Sequence, residues 1–261
     1  MVMKEKINKI IRNNSFIFIE LVKRDFKKKY KRTVLGMFWS ILSPLLMLAV
    51  LAIIFGNFFG RDIPHFLIYV FTGQIVFNYF LEATNEGMGA LLFNANIFTK
   101  VNVPKHLFVV SKNVSAFINF SIICIIYFLF LFFDNVIISW KFIFLLYPII
   151  CLILFNIGLG LLLSAYYVIF RDLEYIYRIL TQLIMYGSAI FYSIDIVPNF
   201  MRVIFYCNPI FVFITYIRNI VLDNMIPNIY MHLLLAIYTV LVLLLGIAVY
   251  RKYNYHFLYY V

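Results

Sequence analysis

Charged residues are scarce in this sequence. Asp, Glu, Lys and Arg account for 13% of its 261 residues, while 65% are hydrophobic and 20% are aromatic. Soluble domains are about one quarter charged, and a water-soluble fold of this size could not cover so much apolar surface with so few charges. The shortage excludes soluble enzymes and disordered chains, and it predicts an integral membrane protein.

The residue groupings of most chemical sites are missing as well. The three cysteines, Cys124, Cys151 and Cys207, are odd in number and widely spaced, which excludes a disulfide framework and gives no metal spacing. The four histidines form no metal-binding motif, and the ten glycines include no GxxxxGK[S/T] phosphate loop. We therefore expect no metal, no cofactor and no catalytic residue on this chain.

Acidic residues are half as common as basic ones, and the excess of positive charge is local. Of the 22 Lys and Arg residues, 11 precede Thr33, where only three acids accompany them. A basic cluster beside a membrane span is typical of an orientation signal and of contact with anionic lipid or a partner protein. We do not expect a nucleic-acid partner.

Five charge-free runs reach the roughly 17–25 residues that a span requires. A further stretch is split into two shorter apolar pieces, Ile179–Ile194 and Val203–Ile217, by a polar segment that contains Asp195 and Pro198. These pieces fit either two spans or one span and a re-entrant segment. The five long runs are Val34–Phe59, Ile63–Leu81, Asn113–Phe133, Phe142–Phe170 and Asn224–Tyr250.

The distribution of basic residues decides between these topologies. With six spans, one side of the membrane carries 18 Lys and Arg and the other carries 4, which places both termini in the cytoplasm. Seven spans would send Arg251 and Lys252 outside. We predict an all-α membrane protein with one transmembrane domain over residues 1–261. It has six spans within 34–250 and a re-entrant outer segment, 195–222, between spans five and six.

Residues 1–33 are predicted to form an amphipathic helix in the cytoplasmic interface. Ile19, Val22, Phe26 and Tyr30 recur at helical spacing, and basic residues lie opposite them. A simple anchor and a gating element both fit this pattern.

Two acids, Glu82 and Glu86, lie near the inner end of the second predicted span. They are four residues apart and so share one helical face. They fit a hydrated span end, ion-pair partners for the basic N-terminal helix, or a proton relay.

Four motifs, in order along the chain, resemble the permeases of ABC-type polysaccharide exporters, which export O-antigen, capsular polysaccharide or wall teichoic acid. Residues 24–44 (RDFKKKYKRTVLGMFWSILSP) resemble the entry to the first span of that family, and residues 94–104 (NANIFTKVNVP) resemble the cytoplasmic segment after the second. Residues 170–173 (FRDL) look like the second inner loop. Residues 190–198 (IFYSIDIVP), with 207–209 (CNP), look like the outer re-entrant region.

This resemblance implies a transport subunit of the bacterial inner membrane that works as a homodimer. Two separate subunits would bind ATP and Mg²⁺, and the cargo would be a glycan on a polyprenyl diphosphate or a similar lipid carrier.

The resemblance also implies roles for particular residues. The basic helix ending at Arg32 and a docking segment, 94–106, would contact the ATP-binding subunit. Lys23, Arg24 and Lys28 would meet the diphosphate of the carrier or, equally well, anionic lipid. Thr33, Phe38 and Trp39 would lie at the cytoplasmic mouth of the pathway. The contact residues of the docking segment would be Asn96, Phe98, Lys100, Val101, Pro104 and Lys105.

Aromatic side chains are candidates for the pathway itself. Their rings offer flat, amphipathic faces to a sugar chain with few rotamers to restrict. Packing inside the protein or contact with lipid is the alternative for each of them. The candidates are Phe77, Tyr79, Phe80, Tyr186, Phe191 and Tyr192.

Other functions remain open from the sequence. An ABC exporter of a drug or another small amphiphile keeps the same architecture. A proton-coupled secondary transporter would use Glu82 and Glu86. A membrane glycosyl- or phosphotransferase lacks the clustered acids that it would need.

Overall fold

The computed structural model describes residues 2–31, 33–59, 63–101, 103–254 and 257, with side chains left undescribed at 2–13, 30 and 57–59. This part of the chain contains ten α-helices and no strand, which confirms the all-α prediction. The helices are α1 (Val2–Tyr30), α2 (Trp39–Phe59), α3 (Phe66–Gly89), α4 (Ala95–Phe98), α5 (His106–Phe133), α6 (Leu146–Ile169), α7 (Leu173–Tyr186), α8 (Asn199–Tyr206), α9 (Pro209–Val221) and α10 (Ile229–Tyr253).

Five helical stretches are long and apolar enough to cross a membrane, and they match the five charge-free runs. They are Gly36–Gly56, Phe66–Gly89, His106–Phe133, Trp140–Ile169 and Ile229–Tyr253. The bent pair of α8 and α9 raises the number to as many as six. We call the end of the bundle where α3 begins the outer end and the end where α3 finishes the inner end, after the predicted orientation.

The helix α3 lies at the centre of the bundle. It packs against α2, α5, α6 and α9, and 72% of its most apolar window is buried, compared with 17% for α2. The helices α6 and α10 approach each other closely at two glycines. A Cβ at Gly246 would overlap the carbonyl oxygen of Gly158, so neither position has room for a side chain.

The predicted apolar piece Ile179–Ile194 is helical only as far as Tyr186. The helix α7 begins earlier, at Leu173. Glu174 lies in its first turn, where the positive end of the helix dipole stabilises a negative charge. Its 14 residues extend about 21 Å at 1.5 Å per residue, which is less than the ~30 Å of a hydrocarbon core. Irregular backbone follows.

The bent pair coincides with the segment predicted to re-enter the membrane. The helices α8 and α9 meet at 101°, because Asn208 caps α9 through the amide of Ile210 and Pro209 occupies its first turn. The carbonyl of Tyr206, just before the bend, accepts a hydrogen bond from Tyr238, nine residues into α10. A bend of this size fits either a broken span or a re-entrant loop, and the re-entrant position of the pair in a bilayer stays a prediction.

The helix α1 packs on α5 through a face that contains both apolar and charged residues. Leu21 and Asp25 are buried, whereas Ile19 is 48% exposed and Val22 and Phe26 are half-buried. Ile19 thus faces away from the bundle, whereas Leu21 packs in an apolar cluster and Asp25 makes polar contacts on the opposite face. An interfacial position for α1 stays a prediction.

Candidate functional site: polar cavities around the inner half of α3

The inner half of α3 carries a polar stripe. Asn78, Glu82 and Asn85 follow one another at spacings of four and three residues, and Glu86 lies beside them, so all four share one side of the helix. Because α3 is the central helix, this stripe brings polar groups into the middle of the bundle near its inner end. Three cavities formed by described residues adjoin this stripe.

Glu82 connects three helices. Its Oε1 accepts hydrogen bonds from Nζ of Lys29 on α1, at 2.8 Å, and from Nδ2 of Asn119 on α5, at 2.6 Å. This contact confirms the interpretation of Glu82 as a partner of the basic N-terminal helix. A proton-relay role would require this ion pair to open.

Glu86 belongs to a second network. Its Oε2 lies 2.8 Å from Nζ of Lys112, which also lies 3.6 Å from Oδ1 of Asp25. The side chain of Asp25 is only 3% exposed, and Arg24 contacts it at 2.7 Å. A buried carboxylate is strongly unfavourable without such partners. Arg24 pairs with Asp25 within α1, and Lys112 holds α1 against α5.

The charged cavity has a volume of about 440 Å³ and lies between α1, α3 and α5. Four cationic side chains and three carboxylates line it, which leaves an excess of one positive charge. The described residues contain no group of three or more His, Cys, Asp or Glu that could hold a metal ion. The charged residues are Arg24, Asp25, Lys28, Lys29, Glu82, Glu86 and Lys112.

The amide cavity adjoins the charged cavity and is larger, at about 580 Å³. The two share Lys29 and Glu82 as lining residues. Its wall is rich in amides, hydroxyls and one indole, from Thr33, Trp39, Ser40, Ser43, Asn78, Asn85 and Asn119. A third cavity, of about 350 Å³, lies between α3, α6 and α7 and shares Asn85 with the amide cavity.

Arg218 on α9 is not among the site residues predicted from the sequence, where it contributes only to the charge on the outer side of the membrane. The side chain is buried, and its Nη1 and Nη2 donate to the carbonyls of Ala189, Tyr69 and Ile190 at 2.9–3.1 Å. The guanidinium also lies 3.3 Å from the ring centroid of Tyr69. Within the described part of the chain it has no carboxylate partner.

The contacts of Arg218 explain how the irregular segment after α7 is tolerated. Ala189 has a left-handed backbone, with φ of 47°, so its carbonyl and that of Ile190 are not used by a helix. Backbone carbonyls inside a membrane protein require a partner, and Arg218 provides it. A lone arginine in an otherwise apolar run was the signal available in the sequence.

Comparison with known proteins identifies the family. The sequence pattern of the ABC-2 type transporter family matches residues 17–222. The chain belongs to this family. It is therefore a multi-pass membrane transport subunit, and permeases of this type work with ATP-binding partner subunits.

Individual relatives of this ABC-2 permease are named for glycan export. An O-antigen export system permease protein RfbA of Klebsiella pneumoniae is 26% identical over 245 residues, which cover 92% of this chain and 93% of the relative. RfbA of Myxococcus xanthus is 26% identical over 70% of each chain. The polysialic acid transport protein KpsM of Escherichia coli is 23% identical over 87% of this chain and 90% of its own. These findings confirm the resemblance to polysaccharide exporters.

The residues predicted for the cytoplasmic mouth of the permease lie in three different settings. Arg24 and Lys28 line the charged cavity, and Thr33 and Trp39 line the amide cavity. Lys23 is exposed and pairs with Glu20 at 2.9 Å on its own helix. Phe38 is exposed but lines neither cavity, and Arg32 lies outside the described residues.

The predicted docking segment has an exposed surface and a buried base. Asn96, Lys100 and Val101 are exposed, whereas Phe98 packs inward on Phe108. Nζ of half-buried Lys105 donates to the carbonyl of Asn254 at 2.7 Å and lies over the Phe98 ring, and burial lowers the pKa of this ammonium. Pro104 is half-buried, and Asn102 lies outside the described residues. The contact with the ATP-binding subunit stays a prediction.

Most of the predicted pathway aromatics pack inside the chain. Phe77, Tyr79 and Phe80 are at most 5% exposed, and Phe191 stacks on Phe55 at 5.4 Å. A lining role for these four would require α3 and the segment after α7 to separate from their neighbours. Tyr186, at 62% exposed, and half-buried Tyr192 are accessible, and the hydroxyl of Tyr192 donates to the carbonyl of Tyr186.

Proposed function

We propose that this chain is the membrane subunit of an ATP-driven exporter that moves a lipid-linked cell-surface polysaccharide outward. O-antigen, capsule and teichoic acid are the classes of cargo. The observation that carries the proposal is the extent of the likeness to glycan-export permeases, 92% of this chain and 93% of the Klebsiella pneumoniae relative. The family match, over residues 17–222, includes both the inner cavities and the bent α8–α9 pair.

In the proposed assembly, two copies of the chain form a homodimer in the bacterial inner membrane, with both termini in the cytoplasm. Two separate subunits bind ATP and Mg²⁺ below it. The exposed surface of Asn96, Lys100 and Val101, at the inner end, supports a docking role. The low burial of α2 supports a further helical neighbour from a second copy.

The charged cavity is the proposed site for the diphosphate of the carrier. Arg24 offers a forked guanidinium and Lys28 a compact ammonium, the two side chains that bind phosphate most often. Lys28 forms no ion pair with the described residues, so its charge is available to a ligand. Surrounding membrane lipids with anionic headgroups compete for the same cations.

The two alternative functions lack comparable support. Lys29 and Lys112 lie 2.8 Å from Glu82 and Glu86, and paired acids favour a structural role over a proton relay. Export of a drug would make the cells drug-sensitive on deletion of the chain, whereas the proposed function predicts loss of surface glycan without drug sensitivity.

Reconstitution tests the proposal directly. The chain is purified together with the ATP-binding subunit encoded beside it and placed in liposomes that contain a fluorescent lipid-linked glycan. We expect ATP-dependent movement of the glycan across the bilayer, and none with an ATP-binding subunit that cannot hydrolyse ATP. Failure to form a complex would refute the proposal, and so would transport driven by a proton gradient alone.

A further inference from the structure

The amide cavity contains polar side chains that the described part of the chain leaves without a hydrogen bond. Ser43, Asn78 and Asn85 line it, and their side chains form no hydrogen bond with any described residue. Asn78 lies 12 residues into α3, about 18 Å from the outer end of that helix. Polar groups at such a depth need water or a polar ligand, because lipid offers no partner.

The wall of this cavity has the chemistry that binds a sugar ring. The indole of Trp39, 43% exposed, offers an apolar face to the C–H groups of a pyranose. Amides both donate and accept hydrogen bonds, and Asn78 and Asn85 present theirs beside the carboxylate of Glu82. A volume of about 580 Å³ lies within the ~300–1,000 Å³ of pockets that enclose a small organic ligand.

The position of the cavity agrees with this chemistry. It shares Lys29 and Glu82 with the charged cavity, so a ligand whose anionic group occupies one extends directly into the other. A sugar diphosphate on a lipid has this arrangement, because its first sugar is bonded to the phosphate. Free phosphate or an anionic phospholipid would leave the amide cavity empty.

We propose that the amide cavity binds the first sugar of the lipid-linked glycan, while the charged cavity holds the diphosphate. This inference rests on the proposed function. It assigns sugar recognition to Asn78 and Asn85, along the inner half of α3, and to Trp39 at the start of α2. The permease thereby distinguishes a glycan-bearing carrier from the bare carrier before transport begins.

A fluorescence titration tests this binding site. The chain has two tryptophans, so Trp140→Phe, at an exposed position of the outer end, leaves Trp39 as the reporter. The full-length variant in lipid nanodiscs is titrated with three probes on one short polyprenyl chain: the diphosphate alone, and the diphosphate bearing glucose or N-acetylglucosamine. We expect a Trp39 response and about tenfold tighter binding for at least one of the sugar-bearing probes.

Substitutions locate the contact. In the double variant Asn78→Leu with Asn85→Leu, the sugar-bearing probes should bind no tighter than the bare diphosphate. Asn85→Leu alone, at an exposed position, should remove part of the difference if the double variant does not fold. Asn199→Leu, on exposed α8 outside these cavities, is the matched control and should change nothing. Lys28→Gln should weaken all three probes by the same factor.

The outcomes separate this inference from the proposed function. Equal affinity for all three probes in the unsubstituted reporter protein overturns the sugar site and leaves ATP-driven glycan export intact. A preference for sugar that survives the double variant also overturns it. If no probe binds and the reconstituted complex transports no glycan, both proposals fail.

Discussion

The two ends of the bundle hold their buried cations in different ways. At the outer end, Arg218 is surrounded by backbone carbonyls and has no counter-charge among the described residues. At the inner end, Lys112 lies between two carboxylates, Asp25 and Glu86, beside an open cavity. Ion pairs beside water can exchange partners with a charged ligand. The carbonyls of Tyr69, Ala189 and Ile190, which we call the carbonyl cage of Arg218, can only lose their hydrogen bonds to it. The inner end is therefore suited to binding, and the outer end to holding an irregular backbone in place.

Removal of Arg218 should have the largest effect. Arg218→Met removes hydrogen bonds from a charged donor to the carbonyls of Tyr69, Ala189 and Ile190, and each bond of this kind contributes about 1.5–3 kcal/mol. We expect the free energy of unfolding to fall by about 3 kcal/mol or more in an SDS titration. Arg178→Met, at a 65% exposed side chain with a partner at 3.5 Å, is the control and should cost less than about 1 kcal/mol. Equal losses in the two variants would remove the contrast between the ends.

A steric change should disturb the same cage by a smaller amount. A Cβ at Gly73 would lie 2.9 Å from Nη2 of Arg218 and 3.1 Å from Ile190, so one of them must move. Gly73→Ala should lower the unfolding free energy by about 1–3 kcal/mol, the usual cost of overpacking. Gly56→Ala adds the same methyl group 4.0 Å from its nearest neighbour and should be close to neutral. A harmless Gly73→Ala would contradict the tight geometry of the cage.

At the inner end, Lys112→Gln tests whether the buried acid depends on its partner. Asp25 keeps Arg24, so we expect a loss of about 1–2 kcal/mol, smaller than that for Arg218→Met. A double-mutant cycle with Glu86→Gln measures the coupling across the 2.8 Å contact. Because Glu86 is 54% exposed on its side chain, that coupling should be below about 1 kcal/mol. If the coupling were as large as the whole loss in Lys112→Gln, the contact of Lys112 with Glu86 would stabilise the protein more than its contact with Asp25 does.

At both ends of the bundle, the sequence predicts the spans but not the buried polar contacts between them. Hydropathy and charge are local properties, so the five long spans and the break at Asp195 could be predicted from the sequence. The buried face of α1 could not, since its central residue is a carboxylate, Asp25, whose partner Lys112 lies 87 positions later. The carbonyl cage of Arg218 could not either, because it depends on the left-handed backbone at Ala189, a position without glycine.

The smallest effect on stability is expected where the inner end meets solvent. Lys29, 43% exposed, pairs with Glu82, and Lys29→Gln should change the unfolding free energy by less than about 1 kcal/mol, because exposed ion pairs contribute little. The same variant should weaken binding of a polyprenyl diphosphate several-fold, since it removes one cation from the charged cavity. Lys23→Gln, whose pair with Glu20 faces away from the cavity, should change neither quantity. A loss of stability without a loss of binding in Lys29→Gln would make this end structural like the outer one, because its ion pairs would then hold helices together and take no part in capturing a ligand.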